Sequence, residues 1–198
     1  IGKSRLVREF RIWAQTTGVV VAEGRAEDAV RRPFGLFQEA LDRLVRQVEV
    51  WERVGQAPAG TVATYAPHLR DVLPALERSW PGPEPEPLDD EAARVRLLDK
   101  TSEFVLRAVE GTALLLVLED MHWADEASAD LAEFLARKAA AAGGKARLLV
   151  VATLRHGDLP PEVARAVERL SRAGLAQERR LRALPREDQA ELVRSMFG

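Results

Sequence analysis

Gly2-Lys3-Ser4 stands directly before a run with helical periodicity. Glycine lets backbone N–H groups close on phosphate oxygens, lysine reaches the outer phosphates and a serine hydroxyl can ligate magnesium. The triplet therefore reads as the second half of a phosphate loop, G-x-x-x-x-G-K-[ST]. The N-terminus of the following helix adds its own partial positive charge. Three residues alone form a common string, so the reading needs partners elsewhere.

Glu119-Asp120, at the end of the apolar run Ala113 to Leu118, supply one. Phosphoryl transfer needs a carboxylate on the magnesium side and a second acid to orient or deprotonate water. In an α/β sheet the carboxyl ends of strands are also where ligands bind. The plain alternative is that both acids end a strand and cap the next helix. Arg155, two residues beyond the run Leu148 to Thr153, could bring a guanidinium to a terminal phosphate, with Thr153 as a polar sensor beside it. The alternative for Arg155 is a solvated loop arginine.

The elements that must position these residues follow from hydrophobic periodicity. Leu6, Val7, Phe10, Ile12 and Trp13 predict a short first helix ending before Thr16. Residues 18–24, β-branched and bounded by glycines, predict a strand buried on both faces. Helices are expected over 34–54, around 68–76, from Asp89 or Asp90 to Glu110, over 126–141, over 160–173 and from Pro185. Further strands are expected at 113–118, 147–153 and 176–184, and the proline-rich stretch 81–87 suits a surface loop. Alternating strands and helices imply a mostly parallel sheet with helices on both faces. Trp13, Trp51 and Trp80 are expected to pack against helices.

Composition narrows the function classes. The 198 residues are 46% hydrophobic and 30% charged, enough for one core. The 31 acidic and 29 basic residues nearly balance, so no net field draws the chain to nucleic acid or an anionic membrane. Without cysteine there are no disulfides, thiolate nucleophiles or cysteine-ligated metals, which suits a reducing cytoplasm. His68, His122 and His156 show no zinc-ligand spacing, and no apolar run reaches the roughly eighteen residues of a membrane span. Arg179, Arg180 and Arg182, without interleaved aromatics, read as a strand edge or solvated face.

Three strings together resemble a family: Gly-Lys-Ser-Arg-Leu at 2–6, Leu-Glu-Asp-Met-His-Trp-Ala-Asp at 118–125 and Ala-Thr-Leu-Arg at 152–155. They look like the AAA-type, STAND-class P-loop ATPase domain of bacterial signalling proteins, including MalT-like LuxR-type transcriptional regulators and ATPase domains attached to adenylate cyclases and serine/threonine kinases. Pro33-Phe34-Gly35 and Leu184-Pro185 sit where that family has comparable segments. The resemblance implies an α/β three-layer P-loop sandwich over 1–184, then the start of a helical or winged-helix region at 185–198. It implies ATP and Mg²⁺ as cofactors. Gly2, Lys3, Ser4 and Arg5 would bind nucleotide, Ser4, Glu119 and Asp120 would lie on the metal, and Glu119, Asp120 and Arg155 would serve catalysis. His122, Trp123 and Asp125 would shape the loop and cap the next helix.

The family's first, central strand and the first glycine of its loop are absent here, so both ends read as cuts. The expected function is a slowly hydrolysing ATP switch in a multidomain cytoplasmic protein, most simply a LuxR-type regulator. Its partners would be helical, winged-helix and output domains of the same protein and, in one nucleotide state, another copy. Direct nucleic-acid contact is not expected. The rivals are the ATPase module of a cyclase or kinase, a remodelling motor, and a non-catalytic nucleotide-binding scaffold.

Overall fold

The computed structural model describes residues 2–28, 32–80, 82, 85–155, 157, 159–181, 185, 188, 191 and 194. The elements are α1 Lys3–Thr16, β1 Val20–Arg25, α2 Gly35–Arg53, α3 Thr61–Leu69, α4 Leu76–Ser79, α5 Asp90–Ala108, β2 Ala113–Glu119, a 3-10 turn Met121–Trp123, α6 Glu126–Ala141, β3 Arg147–Ala152 and α7 Pro161–Arg172. Among the described residues the strands form one sheet in the order β1-β2-β3, parallel throughout.

Alternation along each strand sorts the apolar side chains between two layers. From β2, Leu114, Leu116 and Leu118 enter the main core beneath α2, α3, α5 and α6. Leu115 and Val117 point the other way and join Val21 with Val7 and Ala14 of α1. The central strand is therefore buried on both faces, as its uninterrupted leucine and valine run requires. α1 covers β1 and β2 but leaves Leu149 of β3 half exposed, along with Leu6, Ile12 and Trp13 on its own surface. Trp13 thus departs from expectation: it stacks on Phe10 at 5.6 Å and stays largely solvent-exposed. Trp51 and Trp80 do pack on the core.

Gly24 lies inside β1 rather than bounding it. A β-carbon there would come within 1.8 Å of the Leu36 carbonyl oxygen, so glycine is what lets α2 cross the sheet so closely.

The helix expected around 68–76 does not form: residues 70–75 are a turn between α3, which starts at Thr61, and α4. α3 starts earlier because Gly60 turns into the left-handed region at φ 81° and the Val62 N–H donates to Glu52 Oε1 at 2.9 Å. The strand expected at 176–184 does not form over its described part, Ala176–Leu181. A strand needs a hydrogen-bonding neighbour. Residues 177–181 instead face Val151–Leu154, Lys3, Leu6 and Val7 across a cleft of about 580 Å³. Residues 182–184 and most of the helix expected from Pro185 lie outside the described residues, as do Arg182 and His156. Arg179 and Arg180 are exposed, each bonded to a neighbouring side chain. No helix among the described residues is long and apolar enough to cross a membrane.

Candidate functional site

The first turn of α1 meets the carboxyl end of β3. Gly2 adopts φ 100°, which a side-chain-bearing residue rarely takes, and its carbonyl accepts the Leu6 N–H at 2.9 Å to open the helix. Lys3 Nζ then donates to the Leu154 carbonyl oxygen at 2.8 Å, 151 positions away in sequence. Ser4 and Arg5 lie on the same exposed turn.

Glu119 ends β2 opposite Arg25, the last residue of β1. Asp120 leaves the strand at φ 58° and ψ 41°, a left-handed conformation that aspartate tolerates better than most residues. That turn frees its side chain from the alternation of the strand. Arg25 holds it, with Nε donating to Asp120 Oδ2 at 3.1 Å. Arg25 was missed by the sequence reading; a charged residue closing an apolar strand was the available signal, but its partner depends on register.

Thr153 joins the two loops. Its N–H donates to Leu118 O at 2.9 Å, its carbonyl accepts the Met121 N–H at 2.9 Å and its hydroxyl accepts the Asp120 N–H at 3.0 Å. Two residues on, the Arg155 guanidinium lies over the Trp123 ring, 5.3 Å from the centroid. Thr153, Leu154 and Arg155 therefore touch, in turn, the Asp120 loop, Lys3 and Trp123.

Burial pushes the Glu119 carboxyl above the usual range, and the charges of Glu23 and Asp120 push it further while Arg25 and Arg11 oppose them. Glu23 itself is ion-paired with Arg11 of α1. Asp125 caps α6 as expected, accepting from Ser128 N at 2.9 Å and Ser128 Oγ at 2.5 Å. It also accepts the Phe34 N–H at 3.1 Å, holding that residue at φ 58°, so Pro33-Phe34-Gly35 is fastened to the start of α6. His122 is buried and its ring tilts against Trp123 at 4.5 Å. A groove of about 500 Å³ opens beside these loops, with Arg25, Trp123, Asp125 and Glu39 in its walls.

Lys3, Arg25, Glu119, Asp120, Thr153 and Arg155 thus gather at one end of the sheet from four chain segments. Among the described residues, no cluster of three or more His, Asp or Glu side chains could hold a metal by itself.

No curated protein and no solved structure matches the chain. The family model described as AAA ATPase domain matches residues 1–151, which include Gly2-Lys3-Ser4, Glu119-Asp120 and nearly all of β3. The chain belongs to the AAA ATPase domain family of nucleotide-binding ATPase modules.

Proposed function

We propose that this module is an ATP-dependent switch that hydrolyses its nucleotide slowly and controls other domains of a bacterial signalling protein. The contact between Lys3 Nζ and the Leu154 carbonyl supports this best. It puts the phosphate-loop cation beside the segment that carries Thr153 and Arg155. A terminal phosphate would take the Leu154 carbonyl's place as the lysine's acceptor, and the two loops would register the exchange.

In this reading Gly2, Lys3, Ser4 and Arg5 bind the nucleotide, while Ser4, Glu119 and Asp120 hold magnesium. Magnesium, when bound, supplies positive charge that offsets the charge on the phosphate oxygens. Glu119 is the acid with most to gain from a nearby cation, because burial and the surrounding carboxylates disfavour its ionised form. Asp120, turned out of the strand, is left to orient the attacking water, and Arg155 meets charge on the terminal phosphate. Arg25 occupies one oxygen of Asp120, which suits slow turnover.

The family strings favour a LuxR-type transcriptional regulator as the parent, with a cyclase- or kinase-linked module as second choice. The core would extend to about residue 184, followed by the helical region that closes over nucleotide. The setting is cytoplasmic, and output is transmitted by domain rearrangement or self-association rather than by direct nucleic-acid contact.

The test is labelled-ATP binding and turnover, with Mg²⁺, in the full-length protein and its Lys3→Ala variant. Tight binding with slow turnover, both lost in the variant, is expected. Fast turnover would favour a remodelling motor, and no binding by the wild type would leave a scaffold.

A further inference from the structure

We infer that Trp123 is a positioning residue for Arg155, holding its guanidinium ready for the terminal phosphate of a nucleoside triphosphate. The inference rests on the ATP reading above and adds a role for a residue otherwise credited only with loop shape.

Two strand-end segments are joined at their roots by Thr153, through the Asp120 and Met121 N–H groups. They are joined again at their tips, where Arg155 lies over Trp123 at 5.3 Å. The indole sits in a defined place. The 3-10 turn closes through Trp123 N–H to Asp120 O at 2.9 Å and Ala124 N–H to Met121 O at 3.1 Å. Buried His122 stacks obliquely against the indole at 4.5 Å.

The chemistry of the partner matters. A carboxylate would consume the in-plane N–H donors of Arg155 and cancel its charge. An aromatic face attracts the cation and leaves the donors at the guanidinium edge available to an anionic oxygen. The Lys3 contact with the Leu154 carbonyl puts the backbone segment that carries Arg155 beside the phosphate-loop cation. An arginine that is oriented and, among the described residues, paired with no carboxylate discriminates best between ligands with and without the last phosphate. Trp123 acts through Arg155 and need not touch the nucleotide.

Binding of ATP and of ADP, each with Mg²⁺, should be measured by calorimetry on the full chain as wild type, Trp123→Leu, Trp123→Phe, Arg155→Ala and the Trp123→Leu/Arg155→Ala double variant. The wild type should prefer ATP. Trp123→Leu should cut that preference by roughly 2- to 30-fold, the range of a cation–π contact, with ADP affinity unchanged. Trp123→Phe should keep most of it, and the double variant should match Arg155→Ala. An unchanged ATP/ADP ratio in Trp123→Leu would overturn the inference. Equal loss of both affinities, or additive effects in the double variant, would also overturn it. A wild type that binds neither nucleotide would overturn the ATP reading itself, a result distinct from these.

Discussion

Arg25 Nε donates to Asp120 Oδ2 at 3.1 Å, and a terminal nitrogen of the same guanidinium lies 3.0 Å from that oxygen. The pair bridges the ends of β1 and β2 and occupies one oxygen of the acid proposed to orient water. Arg25 is more than half exposed, so the pair adds about 1 kcal/mol or less to stability. Arg25→Ala should leave the melting temperature nearly unchanged and raise the hydrolysis rate of bound ATP by up to about fivefold. Single-turnover hydrolysis checks this; a slower variant would mean that Arg25 assists the reaction.

Gly24→Ala places a methyl group 1.8 Å from the Leu36 carbonyl oxygen, a backbone atom that no rotamer change can move. β1 and α2 must separate. The expected cost is about 3 kcal/mol, seen as a fall of roughly 6–12 °C in melting temperature. Gly35→Ala is the control, since its new β-carbon meets only Arg32 Cβ at 3.7 Å. It should be neutral or stabilising by up to about 1 kcal/mol.

Asp125→Ala removes an N-cap and the acceptor for the Phe34 N–H together. Loss of the cap alone costs about 1 kcal/mol, and the buried Phe34, strained at φ 58°, loses its N–H acceptor as well. A total of about 2–3 kcal/mol is expected in denaturant titration. Asp125→Asn, which keeps an acceptor oxygen, should recover at least half.

The raised Glu119 carboxyl gives stability a definite pH sign. Between its ordinary value of 4.5 and its higher folded value, the folded state binds more protons than the unfolded chain. Stability therefore falls as pH rises through that window and levels off above it. Glu119→Gln should remove this part of the slope and be more stable than wild type at pH 7. Magnesium-dependent nucleotide binding should change in the opposite sense, strengthening with pH in the wild type, while the variant binds more weakly and lacks this part of the pH dependence. Denaturation and binding series from pH 4.5 to 7.5 check both signs.

Where local pattern and tertiary demand coincide, the elements were legible without coordinates. β2 could be read because seven apolar-dominated residues in succession suit only a strand covered on both faces. α6 forms over 126–141 as expected, and Asp125, expected from the family string to cap it, does so. The region 57–80 was misplaced because its helix starts on Gly60 and on a Glu52 carboxylate from the preceding helix, which no periodicity reveals. Residues 176–181 were expected as a strand only from the alternation of the preceding elements, but a strand forms only where another backbone meets it.

For the site, residue types and spacing alone pointed to Gly2-Lys3-Ser4, Glu119-Asp120 and Arg155, because phosphate and magnesium chemistry restricts which side chains can serve. Only the tertiary structure decided how they connect. The parallel register sets Arg25 opposite Glu119, the left-handed turn at Asp120 presents its carboxylate to that arginine, and α1 brings Lys3 to Leu154 across 151 positions. Such pairings depend on strand order and backbone torsion, which are properties of the folded sheet rather than of any local stretch of sequence.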